Sequence, residues 1–140
     1  MRVRDVRMDT LEVKTHQERP IPPRSIRELY DHVGWSRPAS EEDLAEVLES
    51  GPAVGAWDGE ALVGFVRALS DGHLAAYVED VMVREGYRGG GVGEELLARL
   101  LIELGEVANV SLFCEPPVAP FYKRSGFRRT SYVLMRRTKA

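Results

Sequence analysis

The apolar positions of this chain change period along its length, and the changes divide it into elements. Behind the breakers Pro20, Pro22 and Pro23, the residues Ile26, Leu29, Tyr30 and Val33 fall at helical spacing until Gly34 stops the run. Ser40, followed by Glu42 and Asp43, reads as the N-cap of a second helix through Leu44, Val47 and Leu48, closed by Gly51-Pro52. Ahead of both, Leu11–Thr15 alternates weakly, as a first strand would. Three apolar runs then follow in series. Ala53–Trp57 and Ala61–Ala68 flank the turn dipeptide Asp58-Gly59, and Asp71-Gly72 precedes Leu74–Val83. They predict an antiparallel meander.

The period then returns to helical. Val92, Leu96, Leu97, Leu100, Leu101 and Leu104 form one stripe, opposite Glu94, Glu95, Arg99 and Glu103, with Gly105 at the end. Val107–Phe113 reads as a strand, Val118–Arg124 as a short helix between Pro116-Pro117 and Gly126, and Phe127–Arg137 as one or two closing strands. The order predicts a mixed α/β fold in one domain over residues 1–140.

Between the third meander strand and the leucine-striped helix lies Arg88-Gly89-Gly90-Gly91-Val92-Gly93. The first N–H groups of a helix lack intrahelical partners, and the helix dipole places partial positive charge there. Glycines let that backbone approach an anion closely, so the loop reads as a phosphate site. Spacing removes two nucleotide loops. A P-loop needs Gly-Lys-Ser/Thr, but Gly93 is followed by Glu94 and Glu95; the dinucleotide pattern G-x-G-x-x-G fails from Gly89 and from Gly91.

Composition narrows the classes further. A net charge of −3 argues against a dedicated nucleic-acid binder. Charge is segregated: residues 41–60 carry seven acidic side chains and no basic one, and residues 121–140 seven basic ones and no acidic one. The basic end suits either solvent or a phosphorylated ligand. Cys114 is the sole cysteine and has no base nearby in sequence, which reads as a packed thiol; with His16, His32 and His73 it makes no metal-ligand spacing, so no metal is expected. The segment MRVRDVRMDT has no apolar leader core, and no apolar run approaches the ~18 residues of a membrane span, so the expected location is the cytoplasm, with no membrane partner.

Two motifs in this order resemble the GNAT superfamily of N-acetyltransferases. The first is the stretch Val81–Gly93 ending in Arg88-Gly89-Gly90-Gly91-Val92-Gly93, similar to the family's R/Q-x-x-G-x-G/A after its fourth strand. The second is Val118-Ala119-Pro120-Phe121-Tyr122-Lys123-Arg124-Ser125-Gly126-Phe127, similar to A-x-x-F-Y-x-x-x-G-F. The convincing match covers residues 74–128. The resemblance implies about seven strands, splayed between the fourth and fifth around acetyl-CoA, with about four helices. It implies that the backbone of Val81, Met82 and Val83 meets the pantetheine and that Arg88, Gly89, Gly90, Gly91, Val92 and Gly93 hold the pyrophosphate. It brings a homodimer as an option, since many members are dimers.

The implied reaction is attack of a primary amine, on a small molecule or peptide, on the thioester of acetyl-CoA. By resemblance Tyr122 is the candidate acid near the sulfur; packing of its helix onto the sheet is the other reading. Glu79 and Asp80 are candidates for base or ammonium partner. Successive strand residues point to opposite faces, so both reach one site only if a bulge intervenes. Asp80 is slightly favoured, on its parity with Val78 and Met82. Tyr30 and Trp35 lie where the family walls its acceptor pocket; a core tryptophan is the equal alternative. A glucosamine-phosphate acetyltransferase is a further member with an acidic pair before the loop. Outside catalysis, the same motifs suit a non-catalytic acyl-CoA-binding module, and the loop alone suits another phosphate binder.

Overall fold

The computed structural model describes residues 10–139, so nearly all of the amino-terminal segment weighed above as a leader lies outside the described residues. The elements run β1 (Glu12–Thr15), α1 (Pro23–Val33), α2 (Glu41–Glu49), β2 (Ala53–Asp58), β3 (Ala61–Ser70), β4 (Ala75–Val83), α3 (Val92–Leu104), β5 (Asn109–Ser111) and α4 (Ala119–Lys123), the last entered through a 3-10 turn at Pro116–Val118. One sheet carries the strands in the order β1-β2-β3-β4-β5. The first three pairings are antiparallel and β4–β5 is parallel, giving the mixed α/β architecture that the sequence pattern predicts.

Local chemistry explains the elements that hold the frame. Pro23 opens α1 with its φ preset, and Ile26, Leu29 and Tyr30 bury one stripe. A capping box starts α2: Asp43 N–H donates to Ser40 Oγ at 3.0 Å and Ser40 N–H to Asp43 Oδ2 at 3.3 Å. The β2–β3 hairpin turns on Gly59 and Glu60, one residue later than the Asp58-Gly59 dipeptide suggests, because Asp58 still pairs with Ala61.

The sheet separates two cores. On one face Leu96, Leu97 and Leu100 of α3 are fully buried against Val54, Val63, Val66 and Val78. Each such leucine contributes about 1.5–3 kcal/mol by leaving water. On the other face α1 and α2 bury Ile26, Leu29, Tyr30, Leu44 and Leu48 against Trp57, Leu62, Phe65 and Met82.

Two strand expectations change. The described residues hold five strands where the resemblance implies about seven, and Phe127–Arg137 joins no ladder. That tail has the residue types of a strand without a strand's alternation: Tyr132, Val133, Leu134 and Met135 are four consecutive apolar residues, all exposed. The adjacent strand, β5, is only three residues long and offers little edge to pair with. No helix among the described residues is long and apolar enough to cross a membrane.

Candidate active site

Three features converge on β4. The first is the loop leading to α3. Gly89 and Gly91 sit at φ 85° and 90°, and a Cβ at either would meet nothing within 4 Å. These glycines are therefore required by backbone conformation, not by crowding. Gly91 is the N-cap of α3, and no side chain caps the helix, in contrast to the capping box of α2. The first backbone N–H groups of α3 thus lack a side-chain cap, an arrangement that suits an anion. Gly93 serves differently: a Cβ there would lie 3.0 Å from Phe121 Cζ, so it lets α4 seat against α3. Val92 is buried, leaving only its backbone for a ligand. Arg88 is exposed, and its Nε donates to the Val83 carbonyl at 2.7 Å, tying the loop to the end of β4. Tyr87 ties it again through its hydroxyl, which donates to Asp58 Oδ2 at 2.5 Å.

The second feature is a splay between parallel strands. β4 and β5 pair only from Ala75–Asn109 to Tyr77–Ser111, after which β4 continues alone on that side to Val83. An open cleft of about 1400 Å³ lies along β5 and α4, lined among others by Tyr77, Val110, Phe113, Cys114, Tyr122 and Leu134, with Tyr77 its one contribution from β4. Tyr122 belongs to the α3-side core and is held edge-on between Phe121 and Phe127. Burial, with the Cys114 sulfur second, pushes its phenol up to about 12. Tyr122 therefore enters the cleft as a neutral donor at every ordinary pH.

The third feature is a charge cluster on the opposite face. The register runs Arg67↔Glu79 and Phe65↔Met82, so Val66 on β3 faces both Asp80 and Val81 on β4. This is a β-bulge. It resets side-chain parity: Val78 packs in the α3-side core and Met82 in the α1-side core, while Val81 and Val83 pack on the α3 side. The parity that links Asp80 to both Val78 and Met82 therefore fails, because those two residues stand on opposite faces.

The same bulge brings Glu79 and Asp80 to one place. Arg67 Nε donates to Asp80 Oδ2 at 2.7 Å and its terminal nitrogen reaches Glu79 Oε2 at 3.4 Å. Arg37 lies 3.3 Å from Asp80 Oδ1 and 4.0 Å from Glu79 Oε1. The Tyr30 hydroxyl donates to Asp80 Oδ2 at 3.1 Å; burial first, then the Asp80 charge, raises its pKa. Burial works against the Arg37 charge, but Asp80, Tyr30 and Glu79 outweigh it and raise its pKa.

Of the residues singled out from sequence, Glu79, Asp80 and Tyr30 thus meet directly. Trp35 is 42% exposed and stacks on Tyr30 with centroids 6.3 Å apart, so it is a rim residue and not a core one. Tyr122 stands across the sheet from the acidic pair, on the α3 side. Arg67 and Arg37 were not read as site residues. Arg67 carried a signal: it is the one charge in Ala61–Leu69, and a cation inside a buried apolar strand needs a buried carboxylate. Tyr77 and Phe113, stacked at 5.8 Å, also went unread. Among the described residues no group of three or more His, Cys, Asp or Glu could hold a metal.

The profile of the acetyltransferase (GNAT) family matches residues 14–127. Among curated relatives, an uncharacterised N-acetyltransferase of Pyropia yezoensis is 32% identical over 113 residues, covering 73% of this chain and 62% of its own length. The chloroplastic serotonin N-acetyltransferase 2 of Oryza sativa subsp. japonica is 36% identical over 110 residues, covering 74% of this chain and 54% of its own. The chain thus spans little more than half of these relatives. Among solved structures, one assigned as an acetyltransferase from Deinococcus radiodurans R1 superposes with a TM-score of 0.80 at 34% identity, covering 94% of this chain and 92% of that one.

Proposed function

The chain belongs to the acetyltransferase (GNAT) family, and from that premise we propose that it moves the acetyl group of acetyl-CoA onto the primary amine of a small molecule or peptide by direct attack. The observation that carries this reading is the placement of two unlike features on one strand. The open edge of β4 beyond Tyr77 can pair with an extended amide chain, and the uncapped start of α3 with Gly89 and Gly91 suits a pyrophosphate. The residues present therefore fit the co-substrate, which supplies an activated acetyl thioester when bound.

The roles of the chain's own groups follow from their faces. Backbone N–H groups of Val81–Val83 are donors for the negative charge that grows on the carbonyl oxygen. Glu79, partly exposed on the α1 face, takes a proton from the amine, directly or through water, as the C–N bond forms. The C–S bond breaks towards the α3 face, where the Tyr122 hydroxyl donates a hydrogen bond to the departing sulfur. The acceptor enters past Trp35 and Tyr30. The ring pairs Tyr30–Trp35 and Tyr77–Phe113 favour an amine attached to a flat apolar body, the class to which the serotonin of the rice relative's name belongs.

A panel of arylalkylamines, aminosugars and lysine peptides with acetyl-CoA tests the proposal. Free CoA thiol and the acetylated amine, identified by mass, should appear together in equal amounts. Binding of acetyl-CoA without product from any amine would leave a binding module instead.

A further inference from the structure

Asp80 is the one non-glycine residue at positive φ among the described residues, at 57°. It occupies the bulge of β4, and its side chain is 2% exposed. Both of its oxygens are engaged: Oδ2 accepts from Arg67 Nε at 2.7 Å and from the Tyr30 hydroxyl at 3.1 Å, and Oδ1 lies 3.3 Å from Arg37. Glu79 meets the same two guanidiniums only at 3.4 and 4.0 Å, with its side chain 26% exposed. One carboxylate is enclosed by donors, and its neighbour keeps room for a substrate.

We infer that Asp80 is a positioning residue, which with Arg67 clamps the β4 bulge and thereby sets the face of Glu79 and the direction of the Val81–Val83 backbone. Left-handed backbone is unfavourable for a residue with a Cβ, so the surroundings must hold it. The Arg67–Asp80 pair spans from β3 to the bulged residue itself and supplies that hold. The consequence extends down the strand. Removing a bulge slips the register by one residue and turns every later side chain to the other face. Here that would carry Met82 out of the α1-side core and Val81 and Val83 out of the α3-side core. It would also disturb Arg84, whose N–H donates to the Val63 carbonyl at 2.8 Å where the phosphate loop begins. A buried ion pair adds little net stability over an apolar pair of the same volume, but breaking it by removing one partner is costly. Its evident use is geometric.

The catalytic part of this inference rests on the acetyl-transfer reading; the structural part does not. Two measurements separate them. In amide hydrogen exchange of the protein without ligand, Asp80→Ala and Arg67→Met should each speed exchange at least tenfold at Arg84, whose N–H is bonded to the Val63 carbonyl, whereas Glu79→Gln leaves it near wild type. Unchanged exchange in both clamp variants would overturn the inference, whether or not any amine is acetylated. In pH–rate profiles, Glu79→Gln should lose the acidic limb of kcat/KM. Asp80→Asn, which tolerates left-handed backbone and keeps an acceptor for Arg67, should retain that limb at the same midpoint. Its kcat should fall less than tenfold, against roughly a hundredfold for Asp80→Ala at the low end of positioning and general acid–base effects. The double variant Arg67→Met/Asp80→Ala should be no slower than the worse single, since the pair acts as a unit. Loss of the acidic limb in Asp80→Asn would make Asp80 the base, and multiplied losses in the double variant would separate the two residues; either overturns the clamp. Should Asp80→Ala fail to fold, Asp80→Asn and Arg67→Lys carry both arms.

Discussion

Replacing Tyr122 by phenylalanine removes one oxygen from the cleft and should be visible in two independent ways. The first is stability. The folded phenol titrates at about 12, against ~10 for an unperturbed tyrosine. Folding therefore favours the neutral form. Below pH 10 the hydroxyl is neutral in both states and the native state loses nothing. Above that, the unfolded chain ionises first, and stability falls as pH rises towards 12. The full loss is about 3 kcal/mol, and about half of it is reached at pH 11. For a chain of 140 residues that corresponds to a Tm change of about 5 °C. Calorimetric scans of wild type and Tyr122→Phe at pH 8 and pH 11 should show the wild type losing about 5 °C more than the variant between the two. Equal losses within a degree would refute the burial argument. The second way is rate. A free thiol titrates near ~8.5, so complete proton transfer from a phenol at about 12 is uphill by about 5 kcal/mol. Tyr122 should therefore act through a hydrogen bond to the sulfur, and losing one to a charged group costs about 1.5–3 kcal/mol. A fall in kcat of roughly ten- to a hundredfold is expected, with little change in KM for acetyl-CoA.

The loop and its supports give three more outcomes. Gly91→Val forces a β-branched residue to a φ of 90° and should weaken acetyl-CoA binding about tenfold or more in a direct titration, since such strain is ~1–3 kcal/mol. Gly93→Ala places a Cβ 3.0 Å from Phe121, but also removes a helical glycine, worth about 0.8–1.0 kcal/mol. Its Tm should stay near wild type while kcat drops, because a displaced Phe121 carries Tyr122 with it. Tyr87→Phe breaks the bond to Asp58, worth about 1 kcal/mol, and steady-state kinetics should show KM for acetyl-CoA rising a few-fold at constant kcat.

Much of this fold was legible because its signals are local. The stripe Val92–Leu104, the Ser40–Asp43 cap and the three meander strands each follow from a short stretch of chain. The glycine loop was equally plain, being a run of glycines at a helix start. What escaped depends on pairing between distant segments. The β4 bulge has no marker in the sequence Tyr77–Val83, since it arises from how β3 lies against it, and the parity reading of Asp80 fails there. The partners of Asp80 lie 50, 43 and 13 residues away, at Tyr30, Arg37 and Arg67. The tail had strand-forming residues at 132–135, yet a strand also needs an edge, and β5 ends after three residues.

Every role proposed above depends on the β4 edge and the start of α3 together taking acetyl-CoA. Calorimetric titration of the protein with acetyl-CoA, repeated with excess ATP present, tests it most directly. The account predicts saturable binding of one acetyl-CoA per chain that ATP scarcely weakens, because the pantetheine arm along β4 contributes what a nucleotide lacks. No saturable heat, or displacement by ATP at comparable concentration, would contradict it and leave the loop a general phosphate site.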